Sequence, residues 1–138
     1  MQIKRSATAH WEGSGKTGNG TLSTQSPVLN STQYSYNTRF EDGVGTNPEE
    51  LVGAAHAGCF SMKLAFVLQA AGFTADSIDT KATVILDNGA ISDVHLETSV
   101  KVAGVTQAQL EEYTADAKAN CPISKSLTSN ITLTTTLL

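Results

Sequence analysis

Hydrophobic and polar positions change their rhythm several times along the chain. The first third is rich in Gly, Ser, Thr and Asn, with short apolar pieces at Gly20 to Thr24, Val28-Leu29 and Tyr34 to Phe40. This pattern predicts short strands joined by turns, punctuated by Pro27 and the glycine-rich run from Gly13 to Gly20. A strong helix signal follows. Asn47 can cap, Pro48 stands at the first helical position, and Glu50 sits three residues after the cap. The helix is expected to run to about Ala71 and to stop at Gly72. Nearly every face is apolar or small, including Leu51, Val52, Ala54, Phe60, Met62, Leu64, Phe66 and Leu68. Such a helix needs cover all round, which a small domain has difficulty supplying.

Alternation then takes over. Val94 to Val102 alternates apolar and polar residues, the mark of a half-buried antiparallel strand. Ala82 to Asp87 precedes it, and Asn88-Gly89 between them is a strong hairpin signal. A second helix is expected from the capping Thr106, with Gln109 three positions on, to about Asn120, followed by a short helix opened by Pro122 and reaching about Leu127. A last strand, Ile131 to Leu137, alternates aliphatic residues with Thr. Strands grouped between helices predict an α+β fold with antiparallel sheets and a long buried central helix. The 138 residues are the size of one ordinary domain, 1–138.

Composition narrows the function classes. With 40% hydrophobic and 16% charged residues the chain is globular rather than disordered. The net charge of -4 and nine scattered basic residues argue against nucleic acid. The weakly polar stretch Leu51 to Leu68 carries His56 and Lys63, so a buried helix is expected rather than a membrane span. The N-terminus shows no apolar segment of a secretory signal, which makes a cytoplasmic, reducing location the expectation. Two cysteines in such a compartment suit catalysis, metal binding or inert packing better than a permanent staple.

The residues themselves leave alternatives open. Cys59 lies mid-helix, where a small core residue is the simplest reading and the macrodipole gives a thiolate no help. Any activating positive charge must come from elsewhere in the fold. Cys121 would occupy the N-cap of the short helix, where free amides favour a thiolate. His56 and Cys59, on one helix face, could offer two ligands to a soft metal with Cys121 as a third; a hydrogen-bonded packing histidine is the plainer alternative. Lys63, one turn after Cys59, either tunes the thiol or extends its charge to solvent. Glu50 has a capping role, while Glu49 is free for another. Arg39 alone reads as a solvated charge.

A resemblance takes the reading further. The run from Gly45 to Met62, containing Asn47-Pro48-Glu49-Glu50 and His56-Ala57-Gly58-Cys59-Phe60, resembles the osmotically inducible protein C (OsmC) family of hydroperoxide reductases. Ala117 to Ser124, with Asn120-Cys121-Pro122, is similar to that family's second cysteine motif. His10-Trp11-Glu12-Gly13 and Asn37-Thr38-Arg39-Phe40-Glu41 match its stress-inducible branch. The resemblance implies an intertwined homodimer with two active sites at the interface. It implies Cys59 as peroxidatic and Cys121 as resolving cysteine, joined in turn by a disulfide, with Arg39 stabilising thiolate and peroxide and Glu49 orienting Arg39. It further implies organic hydroperoxides as preferred substrates and hydrogen peroxide as a weaker one. No metal, haem or flavin would be used, and an external dithiol such as a lipoylated protein would supply electrons. Two competing expectations are a non-catalytic redox-sensing or metal-binding module using His56, Cys59 and Cys121, and a dimeric domain that binds a lipid-like ligand.

Overall fold

A computed structural model describes residues 1–138. The chain forms two compact units, Met1–Leu51 and Val52–Leu138. The first holds a three-stranded antiparallel sheet in the order β1 (Ala7–Glu12), β2 (Asn19–Thr24), β3 (Thr32–Tyr34). A single helical turn and a little more, α1 (Tyr36–Phe40), follows. The apolar piece from Tyr34 to Phe40 predicts strand. Instead Ser35 caps the helix, and its side chain and that of Thr38 each accept from the other's backbone amide. These reciprocal bonds satisfy donors that a strand would have left to a neighbour. Val28-Leu29 lies in the connection between β2 and β3 rather than in a strand. Only Gly20, Thr38 and Thr46 are buried in this unit, and no hydrophobic side chain is.

The long helix α2 (Pro48–Ala70) begins at the end of the first unit and continues through the second. Asn47 accepts the Glu50 amide at 2.8 Å, as a capping residue should. Glu50 uses its carboxylate differently from a simple capping box: it accepts from the Thr46 hydroxyl at 2.6 Å. The helix ends before Gly72, whose φ of +89° suits the left-handed terminator. At 23 residues it is long and apolar enough to cross a bilayer by length and composition, despite His56 and Lys63. Its packing is that of a core helix on one side only. Gly53, His56, Phe60, Leu64 and Leu68 form a buried stripe at the spacing of successive turns. Ala54, Ala55, Gly58, Met62, Ala65 and Phe66 form an exposed one.

In the second unit β4 (Ala75–Asp87) and β5 (Ala90–Val102) make a long hairpin. Asn88 and Gly89 join them, both at positive φ, 50° and 77°, as a tight two-residue turn demands. The helices α3 (Gln107–Asn120) and α4 (Pro122–Ser126) come next, and β6 (Asn130–Leu137) closes the sheet in the order β4-β5-β6. The expected antiparallel pairing holds for β1-β2-β3 and for β4-β5, but β6 runs parallel to β5, so the second sheet is mixed. Two helices intervene, so the chain crosses over and returns in the direction it left. Alternation holds in β5, where Val94, Leu96, Thr98, Val100 and Val102 are buried. Val94, Leu96, Val100 and Val102 pack with Phe60, Leu64 and Leu68 of α2 and Leu110 and Ala117 of α3.

Candidate active site

On α2 the buried His56 and the half-buried Cys59 stand one turn apart. Facing them is the α3–α4 junction, where Pro122 ends one helix and opens the next. Cys121 is at once the C-cap of α3 and the N-cap of α4, and it is fully buried. Its thiol donates to the sulfur of Cys59 across 2.8 Å, although sixty-two positions separate the two in sequence. Both cysteines are free. Two residues sixty-two positions apart therefore form a thiol pair, which neither residue's local pattern predicted.

The electrostatics of Cys59 follow from this setting. Burial pushes its thiol pKa up, and the neighbouring Cys121 pushes in the same direction. Opposing them are a backbone hydrogen bond from Ile123, in the first turn of α4, and the positive charge of Lys63. The first two win. Cys121 makes no side-chain cap bond with α4. The amide expected to serve Cys121 thus serves Cys59, because the cap residue's own thiol is turned across to α2. Lys63, half-buried, acts on the thiol but does not outweigh burial. Within this unit Cys59 is left without the charge that would make it a thiolate at neutral pH.

His56 is fully buried, and its Nε2 lies 2.7 Å from the Ser124 hydroxyl. Burial lowers its pKa, so the ring is neutral. Nδ1 has no partner. This matches the packing histidine among the sequence alternatives. No three His, Cys, Asp or Glu side chains come together in a manner that could hold a metal ion. Sequence reasoning missed Ser124 and Ile123. The repeated three-residue spacing, His56 to Cys59 and Cys121 to Ser124, was the signal available.

Arg39 and Glu49 belong to the first unit. Nε and Nη2 of Arg39 donate to Glu49 Oε1 at 3.0 and 2.8 Å, and Nε also reaches Oε2 at 3.2 Å. The side chain of Glu49 is only 13% exposed, that of Arg39 40%. The guanidinium is thus held by one edge, with Nη1 left free to serve another anion. Arg39 also borders a cleft of about 220 Å³, walled by Trp11, Tyr34, Tyr36, Phe40 and Pro48.

A family described as OsmC-like protein matches residues 40–136, a span that takes in α2, both cysteines and all but the last residue of the second sheet. The chain belongs to the OsmC family. Over 137 residues this OsmC chain is 50% identical to the peroxiredoxin OsmC of Escherichia coli K12, covering 96% of each. It is 31% identical over 91 residues to the organic hydroperoxide resistance protein OhrA of Bacillus subtilis, covering 64% of each. The fold is similar to that of an OsmC-like protein of unknown function from Vibrio cholerae. Here the TM-score is 0.76 and the identity 17%, over 97% of this chain and 99% of that one. The mixed α+β architecture around a central helix is therefore the OsmC architecture.

Proposed function

We propose that this chain is a cysteine-based peroxidase that reduces organic hydroperoxides, and hydrogen peroxide more weakly, in defence against oxidative and osmotic stress. The observation that carries the reading is the approach of the Cys59 and Cys121 sulfurs to 2.8 Å across sixty-two residues of sequence. The name peroxiredoxin, borne by a relative that is 50% identical over nearly the full length, supports it.

In the first step the Cys59 thiolate attacks the terminal peroxide oxygen. A sulfur–oxygen bond forms, the O–O bond breaks, and the alkoxide leaves as alcohol after taking a proton. Cys59 becomes a sulfenic acid. Cys121 then attacks that sulfur, the S–O bond breaks, and the hydroxyl leaves as water with the Cys121 proton. The resulting disulfide is opened by an external dithiol, for which a lipoylated protein is the expected source, by thiol–disulfide exchange. No resident cofactor or metal is needed.

Arg39 supplies the charge that Cys59 lacks. Its free guanidinium edge would stabilise the thiolate and the negative charge developing on the peroxide oxygens. Glu49 holds the other edge. The aromatic cleft beside Arg39 suits the organic part of a hydroperoxide.

The working form would be a homodimer in the cytoplasm, each chain serving as a single domain of it. Two observations support this. The exposed stripe of α2 carries Met62 at 65% and Phe66 at 60% exposure, beside small residues that let a second helix approach closely. The first unit also buries no hydrophobic side chain of its own, so it needs cover. The test is consumption of cumene hydroperoxide by reduced protein with dithiothreitol. Catalytic turnover is expected, and its absence at micromolar protein would overturn the proposal.

A further inference from the structure

Two contacts between α2 and α4 are separated by the same interval on both helices. Cys59 meets Cys121 across 2.8 Å, and His56 meets Ser124 across 2.7 Å. On α2 the order is His56 then Cys59; along α4, counted from its N-cap, it is Cys121 then Ser124. The helices therefore run in opposite directions here, and the two contacts form successive rungs of one ladder, three residues or roughly 4.5 Å apart along the axis. One rung is the sulfur pair, which must break and re-form in every catalytic cycle. The other is chemically inert, fully buried on the histidine side and nearly so at Ser124, which is 9% exposed.

We propose that the His56–Ser124 hydrogen bond is a positioning device that keeps Cys121 within reach of Cys59 while the latter is a sulfenic acid. The inference rests on the peroxidase reading above. Its physical basis is the size of α4, only five residues, which propagates too few bonds to hold its own place. A buried hydrogen bond one turn beyond Cys121 fixes the register of that turn on α2. It also holds in place Ile123, whose backbone acts to lower the Cys59 thiol pKa. When peroxide oxidises Cys59, the sulfur gains an oxygen, and the direct thiol contact is lost. The second rung remains.

The sulfenic acid then has two fates. Cys121 can attack it, forming the disulfide and releasing water. A second hydroperoxide can oxidise it, transferring one oxygen to give sulfinic acid and an alcohol. Both products arise from one intermediate, so their ratio does not depend on how fast that intermediate forms. At a fixed peroxide concentration it reports the rate at which Cys121 resolves the sulfenic acid relative to the rate at which peroxide over-oxidises it. A loss of general stability would not move it at temperatures well below unfolding.

The experiment treats the reduced full-length protein with a fixed excess of cumene hydroperoxide. It then counts Cys59 sulfinic acid against Cys59–Cys121 disulfide by mass spectrometry. Ser124→Ala is expected to raise the sulfinic-to-disulfide ratio roughly fivefold, the factor equivalent to one buried hydrogen bond of about 1 kcal/mol. Ser124→Thr and Ser124→Val give a pair of equal shape that differs in the hydroxyl. Thr should keep the parental ratio and Val should show the rise. Equal ratios for Thr and Val would overturn the positioning role, whatever Ala does. A parent protein that forms no disulfide at all would instead overturn the peroxidase reading beneath it.

Discussion

Arg39 and Glu49 are joined edge to edge within one chain, by three donor–acceptor contacts of 2.8 to 3.2 Å. Such a two-point grip fixes the plane of the guanidinium as well as its position. Arg39→Lys keeps the charge but has no planar fork, so it should lose most of the activity. Arg39→Ala is expected to cost about 100-fold or more in kcat/KM, the scale for one donor at a developing oxyanion. Glu49→Gln, which keeps one acceptor, should cost about tenfold. Stopped-flow oxidation of the reduced protein by cumene hydroperoxide measures all three. An Arg39→Ala protein with parental rates would remove Arg39 from the reaction.

The two cysteines should fail in different ways. Cys59→Ser should abolish turnover and leave the fold intact, since a hydroxyl is a far weaker nucleophile at neutral pH. Cys121→Ser should complete a first turnover and then collect sulfinic and sulfonic acid on Cys59 under excess peroxide. Peptide mass spectrometry distinguishes the two outcomes. Should Cys59 be no more over-oxidised in Cys121→Ser than in the parent, Cys121 is not the resolving thiol.

Much of this arrangement was legible in the sequence. Asn47 and Pro48, Thr106 and Gln109, and Asn88-Gly89 announced α2, α3 and the β4–β5 hairpin through local bonds, and each element formed where those bonds put it. The turn at Ser35 misled the reading. Its capping partner Thr38 is common in strands too, and Tyr36 and Phe40 have strong strand preference. The parallel course of β6 was not legible, because direction depends on how α3 and α4 carry the chain across and not on residues within β6. The sulfur pair and the His56–Ser124 bond join residues more than sixty positions apart, so no local pattern could state them. Only the equal spacing on the two segments hinted at the ladder.

His56 should make stability depend on pH. Burial lowers its pKa below the ordinary value of about 6.5. Between the two values the unfolded chain binds a proton that the folded chain does not, so stability rises with pH across that window. The contribution is full above about pH 6.5 and is lost as pH falls towards the folded-state value. Urea unfolding midpoints measured from pH 7.5 down to 5 should therefore fall for the parent and fall less for His56→Gln, which has nothing to protonate. Equal pH dependence in the two proteins would mean that His56 is not buried neutral.

The last prediction is that each active site is shared between two chains. Glu49 lies ten residues before Cys59 on the continuous helix α2, roughly 15 Å along its axis at the standard rise. Arg39 is tied to Glu49, so the guanidinium is anchored near the start of the helix. Burial meanwhile leaves the Cys59 thiol pKa raised, with Lys63 and Ile123 insufficient to offset it. The second unit lacks a charge sufficient to ionise Cys59, and the first unit carries one on Arg39. Two copies of α2 packed antiparallel through their exposed stripes would bring Glu49 and Arg39 of each chain towards Cys59 of the other, and a two-fold axis would make both sites at once. Mixing Cys59→Ser chains with Arg39→Ala chains tests this. Each homodimer is inactive, but the heterodimer joins an intact Cys59 with an intact Arg39 in one of its two sites. Co-expression with two different tags yields that species, and its turnover should reach about half that of the parent dimer. A monomer in dilute sedimentation experiments would defeat the dimer. A stable heterodimer without rescued turnover would defeat the shared site alone, and would place Arg39 on the same chain as the cysteine it serves.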